Sequence, residues 1–214
     1  MAESNEWISF PGHKYKGELK DGKKHGKGIC KYDNGDVYEG DFDNDKKHGI
    51  GKFTTFEGDV YEGEYQNNQI HGKGKYTFPN GETYEGDWVK GDKEGIGKYV
   101  TVDGDIYEGE WKDDQQNGKG TYHWVEGDVY EGDWRNDERH GQGRMKWADG
   151  DVYEGRWMND DRNGIGKVTY ADGSVYEGGW MNDQKHGKGK YVLASGEVQE
   201  GDFVDGEFKA NKNE

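Results

Sequence analysis

The sequence predicts an all-β fold: a single elongated, twisted antiparallel sheet of consecutive β-hairpins with an aromatic-lined groove. One pattern recurs every 23 residues without insertion or deletion, and such a period is typical of repeat arrays. Its leading aromatic residue falls at Tyr15, Tyr38, Tyr61, Tyr84, Tyr107, Tyr130, Tyr153 and Tyr176. Apolar and polar residues alternate within each repeat, which indicates strands. Frequent glycines disfavour helices, because each costs about 1 kcal/mol there.

The phase of the pattern predicts how the chain is organised. Residues 1–14 contain a half repeat that we expect to form an edge strand, and residues 15–198 contain eight full repeats. Residues 199–208 form a truncated ninth repeat, in which Gln199 stands in place of the leading tyrosine, so we expect a C-terminal cap. We predict a disordered tail at 209–214, and nothing in the sequence indicates a linker or a second domain.

The repeat that begins at Tyr130 illustrates the predicted hairpin. A strand leads into a polar loop at 136–139, a second strand covers 141–147, and an Asp-Gly turn at 148–151 reverses the chain again. The simplest register places Tyr130 opposite Met145, Gly132 opposite Gly143, and Trp134 opposite Gly141. In that register the tryptophan ring lies over bare glycine backbone. On the other face, Glu131 comes opposite Arg144.

The composition combines a disorder-like charge content with a regular aromatic content. Hydrophobic residues make up 29% and charged residues 35%, with a net charge of −16. Aromatic residues nevertheless make up 14%, and most stand at fixed phases. Since no helix is predicted to cover the aromatic face, we expect the sheet to curl so that this face lines a partner-binding groove. The candidate groove residues are Tyr84, Trp88, Tyr107, Trp111, Tyr130, Trp134, Tyr153, Trp157, Tyr176 and Trp180.

The sequence shows no feature of a secreted or membrane-spanning chain. Cys30 is the only cysteine, so it has no internal disulfide partner. The N-terminus lacks a basic segment followed by an apolar run, and no window is long enough to span a membrane. We therefore expect a soluble, cytoplasmic protein.

The residues that usually carry chemistry are explained better by the repeat itself. Five histidines share one phase, about 10 Å apart along the sheet, too far to bind one metal ion. They are His25, His48, His71, His140 and His186. The Asn-Asp loops lack the spacing of a calcium-binding loop, and the paired carboxylates recur along the array where a catalytic pair would be singular. We expect no enzyme activity, no cofactor and no metal site.

The repeat pattern resembles that of the MORN repeat (membrane occupation and recognition nexus). The resemblance is carried by Tyr107-Glu108-Gly109, Trp111 and Asn117-Gly118-Lys119-Gly120, and it extends over residues 15–206. It implies an elongated array of antiparallel hairpins with an aromatic-lined groove that acts as an assembly or scaffolding module. It also implies cytoskeletal, ciliary or membrane-junction settings. Lys16, Leu19 and Gln199 depart from the pattern, as end caps would.

Three functions remain open at this point. The first is a protein-binding scaffold whose groove holds a helix or an extended segment, with basic residues in the partner favoured by the net charge of −16. The second is a membrane or phosphoinositide-binding module, which the acidic surface opposes. The third is a homodimer that pairs through the terminal strands, since their outer edges carry unpaired backbone groups. The acidic charge also argues against a nucleic-acid partner.

Overall fold

The computed structural model of the chain describes residues 2–209, with side chains described from residue 6 onward. These residues form nineteen strands and no helix. None of them therefore contributes to a helix long and apolar enough to cross a bilayer. They divide into two compact units, one with residues up to 102 and 111–114, the other with 103–110 and residues from 115 onward. The predicted all-β fold of consecutive antiparallel hairpins is confirmed.

The first unit is a meander in which consecutive strands pair antiparallel. Its strands are β1 (Ala2–Phe10), β2 (His13–Lys20), β3 (Lys23–Tyr32), β4 (Val37–Asp43), β5 (Lys46–Thr54), β6 (Val60–Gln66), β7 (Gln69–Thr77), β8 (Thr83–Val89) and β9 (Asp92–Val100). The half repeat at 1–14 thus contributes β1 and the start of β2.

The second unit repeats this arrangement. Its strands are β10 (Ile106–Lys112, of which the first five residues belong to this unit), β11 (Gln115–His123), β12 (Val129–Arg135), β13 (Glu138–Lys146), β14 (Val152–Met158), β15 (Asp161–Thr169), β16 (Val175–Met181), β17 (Gln184–Val192), β18 (Val198–Val204) and β19 (Glu207–Lys209). The predicted tail at 209–214 lies outside the described residues except for Lys209, which ends β19.

The hairpin inside each repeat turns on two residues with positive φ. In the repeat of Tyr130 these are Asn136, at 50°, and Asp137, at 67°. Positive φ at both central residues gives a type I′ turn, whose twist matches that of antiparallel strands, and Asn and Asp tolerate it well. The expected loop at 136–139 is therefore too long: Glu138 already belongs to β13.

The predicted register is confirmed for two of its three pairs, Tyr130 with Met145 and Gly132 with Gly143. The third pair is wrong, because Trp134 lies opposite Arg139. A β-bulge follows Gly132: the facing strand, β13, has two extra residues there that have no partner in β12. Gly141, whose φ is 63°, is one of them. Gly141 lies opposite Trp157 of the next repeat instead.

Charged residues on the other face also connect neighbouring repeats. Glu131 lies opposite Arg144 as expected, but Arg144 places its Nε 3.2 Å from Oε1 of Glu154 on the following strand. Lys52 pairs in the same way with Glu62, at 2.5 Å. Exposed pairs of this kind contribute roughly 0–1 kcal/mol each. Their main effect is to favour one register between repeats.

The core is a row of tyrosine rings that alternate with Phe42 and Tyr65 in the early repeats and with tryptophan rings from Trp88 onward. The Tyr130 ring meets Trp134 of its own repeat at a centroid distance of 5.2 Å and an angle of 90°. It meets Trp157 of the next repeat at 5.4 Å and 86°. Edge-to-face pairs of this kind contribute about 1 kcal/mol beyond burial. The indole Nε1–H of Trp134 also donates to the carbonyl oxygen of Gly120, at 3.2 Å, so this repeat is bonded to the one before it.

The tyrosine hydroxyl lies over a pair of facing glycines. The hydroxyl of Tyr130 donates to the carbonyl oxygen of Asp133, at 2.9 Å. A Cβ at Gly132 would lie 2.5 Å from the hydroxyl oxygen of Tyr130, and a Cβ at Gly143 would come closer still. Glycine is therefore required on both strands. We expected Trp134 to lie over Gly141, but the bulge places Trp134 opposite Arg139, and the ring that lies over facing glycines in this repeat is that of Tyr130.

We expect Gly143→Ala to lower the free energy of unfolding by about 2–3 kcal/mol, because the added methyl group overlaps the Tyr130 ring. In the double variant Gly143→Ala/Tyr130→Phe, the hydroxyl that lies nearest to this methyl group is absent. The double variant should therefore lose less stability than the two single variants together. Urea denaturation of all four proteins measures this coupling, and strictly additive losses would contradict it.

The buried tyrosines also predict how stability changes at alkaline pH. Burial raises the pKa of Tyr15, Tyr122 and Tyr176 to about 12. An unfolded tyrosine has a pKa of about 10, so this stabilisation is complete below about pH 10 and is lost as the pH rises towards 12. We expect tyrosinate absorbance to increase together with the loss of β circular dichroism. Ionisation of these tyrosines well before any loss of structure would be the opposite result.

Candidate functional site

The structure places all ten candidate groove residues in the core. Tyr84, Tyr130, Tyr153 and Tyr176 have no exposed surface, and the most exposed of the ten, Trp134, is 6% exposed. Their rings contact one another within each unit. A partner on the aromatic face, the side of the sheet that carries these rings, therefore meets the side chains that lie over them.

A second, half-buried layer of rings lies over this core. It comes from the sixteenth and eighteenth positions of the repeat, counted from the leading tyrosine. Tyr122 and Trp124 stack at a centroid distance of 4.4 Å, and Tyr122 lies 6.1 Å from Trp134. The Tyr122 hydroxyl donates to Asp105 at 3.0 Å, which fixes the ring. The equivalent rings are Tyr32, Phe53, Tyr76, Phe78, Tyr99, Trp147, Tyr170 and Tyr191. We did not predict this layer, although the fixed phase of its rings is visible in the sequence.

Basic side chains at the tenth position of the repeat lie over rings of both the core and the half-buried layer. The Cζ of Arg139 lies 4.3 Å from the centroid of Trp157, and the Cζ of Arg162 lies 4.3 Å from that of Trp180. A cation over a ring face contributes about 0.5–2 kcal/mol, depending on burial. The residues that make such contacts are Lys24, Lys47, Lys93, Arg139, Arg162 and Lys185. The aromatic face therefore carries a row of cations on a chain whose net charge is −16.

The turn of the following repeat holds each of the two arginines in place. Oδ1 of Asp160 accepts from the backbone N–H of Arg139 at 3.0 Å and from its Nε at 2.9 Å. The carbonyl oxygen of Asp160 accepts from Nη2 of Arg139 at 2.9 Å. Asp183 binds Arg162 through the same three contacts. Each arginine is thus both neutralised and fixed over its tryptophan.

Lys47 has the same place in its repeat but no carboxylate in the turn. Its backbone N–H donates to Oδ1 of Asn68, at 2.8 Å, where other repeats have aspartate. Four rings lie within 6 Å of its Nζ, at distances of 3.7 Å for Phe53, 5.2 Å for Tyr38, 5.5 Å for Tyr32 and 5.7 Å for Tyr65. Burial lowers the pKa of Lys47 to about 8.

Open grooves lie on the opposite side of the sheet, here called the charged face. One in the second unit has a volume of about 950 Å³, and one in the first unit has about 680 Å³. The floor of the larger groove is the backbone of facing glycines: Gly132, Gly143, Gly155 and Gly166. Alternating Glu131, Arg144, Glu154 and Lys167 form one wall, and Gln142 and Ile165 belong to the other.

The histidines and the cysteine have local contacts. No group of three histidine, cysteine or acidic side chains among the described residues is arranged to hold a metal ion. Nδ1 of His25 lies 3.3 Å from Oδ1 of Asp43, in the hairpin turn region. Cys30 is fully buried, and burial raises the pKa of its thiol, which disfavours the reactive thiolate.

The sequence profile of the MORN repeat matches the chain in eight consecutive segments. These are residues 15–37, 38–60, 61–83, 84–106, 107–129, 130–152, 153–175 and 176–198. No curated protein matches the chain at a significant level. The repeats found from the phase of the tyrosines and those matched by the profile have the same bounds.

Several solved structures are similar in fold. The CPAP G-box domain is 14% identical, with 90% of this chain and 95% of that chain covered and a TM-score of 0.49. The Drosophila melanogaster SAS-4 TCP domain, solved with a proline-rich motif of Ana2, is 15% identical, with 71% and 83% covered and a TM-score of 0.46. The Danio rerio CPAP TCP10 domain, solved with a STIL peptide, is 17% identical, with 84% and 93% covered and a TM-score of 0.37. At these identities and scores, the similarities carry no inference about what this chain binds.

The position of Lys47 predicts a pH effect. An unfolded lysine has a pKa of about 10.4, while that of Lys47 in the fold is about 8, so the folded state loses this proton first. The charge on Lys47 therefore costs stability below about pH 8, and this cost disappears between about pH 8 and 10.4. The free energy of unfolding of the variant Lys47→Ile, relative to that of the wild type, should be highest at pH 7 and should fall progressively towards pH 10. Isoleucine already stands at this position in the next repeat, as Ile70. Urea denaturation across this range measures the difference, and a constant difference would contradict the assignment.

Proposed function

This chain belongs to the MORN-repeat family, and from that premise we propose that it is a non-enzymatic protein-binding scaffold. Its aromatic face holds an elongated partner segment, either a helix or an extended chain. The partner lies across several repeats, because the same surface recurs from repeat to repeat. We further propose a cytoplasmic location in a cytoskeletal, ciliary or membrane-junction assembly, the settings in which the family is understood to act.

The observation that carries this proposal is the half-buried ring layer of the second unit. Trp124 and Trp147 stand at the eighteenth position in consecutive repeats, where Thr55 and Thr101 stand in two others. The fold therefore does not require a ring at this position. Both tryptophans keep part of their surface exposed, and Trp, Tyr and Arg are the residues enriched at the centres of protein interfaces. A partner that covers these rings explains their presence.

Charge adds a preference for basic residues in the partner. Arg139 and Arg162 are already paired with Asp160 and Asp183, so these two cations do not attract further anions strongly. The rest of the chain brings the net charge to −16. A segment with apolar side chains over the rings and basic residues beside them matches this surface, and its association should slow as salt is added.

We expect the double variant Trp124→Thr/Trp147→Thr to fold and to lose the partner. The threonines already stand at this position in other repeats, so the antiparallel sheet accommodates them. Loss of two interface rings typically weakens binding by roughly 2 kcal/mol or more per ring. Wild type and variant are used as bait in a native lysate, and the retained proteins are identified by mass spectrometry.

Val125→Ala provides the matched control. Val125 is exposed in the turn beside Trp124, and alanine stands at its position in the next two repeats, at Ala148 and Ala171. This variant should retain every partner of the wild type. Circular dichroism and thermal unfolding establish that all variants are folded. If the folded double variant keeps the same partners as the wild type, the aromatic face is not the binding surface.

A further inference from the structure

A row of ion pairs on the charged face is interrupted in the second unit. The row joins the thirteenth position of one repeat to the fourth position of the next: Lys27 with Asp41 at 2.6 Å, Lys73 with Asp87 at 2.6 Å, Lys119 with Asp133 at 2.5 Å, and Lys188 with Asp202 at 2.8 Å. In the interruption, Gln142 lies opposite Arg156, and Ile165 lies opposite Gly179. Over these four strands the row contains one positive charge and no carboxylate.

Arg156 also removes a hydrogen-bond acceptor. In six repeats the carboxylate at the fourth position accepts a hydrogen bond from the backbone N–H of the thirteenth residue. These carboxylates belong to Glu18, Asp41, Glu64, Asp87, Glu110 and Asp133. Arginine has no acceptor atom in its side chain, so the N–H of Ile165 has lost this partner. The stem of Arg156 lies against Gly164, where a Cβ would be 3.1 Å from Cδ of Arg156. Among residues 6–209, no ion pair involves the exposed guanidinium of Arg156.

Exposed apolar side chains lie on the same face of the sheet as this arginine, on β14, β15 and β16. Ile165 is 71% exposed, Met158 48% and Met181 42%. Ile165 lacks cover because Gly179, directly opposite, has no side chain, and a Cβ at Gly179 would collide with the carbonyl oxygen of His186. Met158 and Met181 each lie two residues beyond a fourth position, on the same side of the sheet. Together, Arg156, Met158, Ile165 and Met181 are here called the Ile165 patch.

We propose that the Ile165 patch binds an extended segment of a partner protein in which a carboxylate lies between two apolar side chains. The carboxylate replaces the missing acid of the fourth position: it pairs with the guanidinium of Arg156 and accepts a hydrogen bond from the N–H of Ile165. The apolar side chains cover Ile165 and the two methionines. This inference goes beyond the proposed function because it uses the opposite face and a partner of opposite charge.

The width of the adjoining groove favours an extended chain over a helix. The groove runs over the glycine floor, between the row that contains Glu154 and the row that contains Ile165. These rows lie two residues apart along each strand, a distance of about 7 Å. An α-helix with its side chains is about 10 Å wide, so it does not fit between them. The carboxylate of Glu154 lies 3.2 Å from Arg144, which leaves Arg156 for the partner.

The test uses a synthetic peptide and the full chain. An acetylated, amidated nonapeptide, Gly-Ser-Leu-Ser-Glu-Ser-Leu-Ser-Gly, places its Leu, Glu and Leu on one side when extended. Titration into ¹⁵N-labelled protein should shift the amide resonances of Ile165 and its neighbours and give a dissociation constant. A second peptide, with Lys in place of the central Glu, should bind about two- to fivefold more weakly, the contribution of one exposed ion pair.

The variants use residues that the chain already has at these positions. Arg156→Asp introduces aspartate, which stands at this position in the preceding repeat as Asp133. This variant should bind the Glu peptide about fivefold or more weakly than the wild type and should bind the Lys peptide more tightly. Ile165→Gln introduces the uncharged residue that stands at this position as Gln142, and it should weaken both peptides. Ile96→Gln is the control, because Ile96 is also exposed but its N–H is bonded to Asp87, at 3.0 Å. This control should bind both peptides as the wild type does.

Two results would overturn the proposal: no shift of the Ile165 resonances at millimolar peptide, or affinities that do not change with Arg156→Asp. The double variant Trp124→Thr/Trp147→Thr should bind the Glu peptide like the wild type. Loss of lysate partners in that variant, with peptide binding intact, separates the two surfaces. If the aromatic face proves not to bind a partner, the peptide titration still tests the Ile165 patch. If the patch does not bind the peptide, the lysate experiment still tests the aromatic face.

Discussion

The array depends on one contact, the tyrosine hydroxyl that lies over two facing glycines. The hydroxyl of Tyr130 reaches the carbonyl oxygen of Asp133 only because Gly132 and Gly143 lack a Cβ. Once it is fixed there, the ring presents its edge and face to a tryptophan on each side, and the tryptophans connect successive repeats. A core this thin has no second layer of structure behind it, so every repeat must keep this contact.

The same contact gives the two faces of the sheet different properties. On the charged face, the backbone of the facing glycines forms a floor between two rows of side chains, and the open grooves lie over this floor. On the aromatic face, rings buried against glycine still need cover on their outer side. The cover comes from half-buried rings such as Trp147 and from cations such as Arg162, which the turn of the next repeat holds through Asp183. The chain thus builds a cover from its own long side chains, where most sheets use a second sheet or helices.

The features that follow from the periodicity of the sequence could be predicted, and those that depend on local backbone geometry could not. The strands, the repeats and the pairing of Tyr130 with Met145 follow from an unbroken phase and a period of two. The position of Trp134 does not, because it depends on a bulge that needs a positive φ at Gly141. The basic tenth residue was missed for another reason. A lysine or arginine in a strand is usually exposed, and only the three-dimensional packing shows that Arg139 covers a ring.

The residues that differ between repeats contain the information about partners. The tyrosines and glycines of the core are nearly the same throughout, so they cannot distinguish one repeat from the next. The fourth and eighteenth positions vary, as Arg156 and Trp147 show, and the fold tolerates several residues at each. Two strands occupy about 10 Å across a sheet, and an extended chain advances about 3.3 Å per residue. An extended partner that lies along either face within a unit therefore passes one repeat about every three residues.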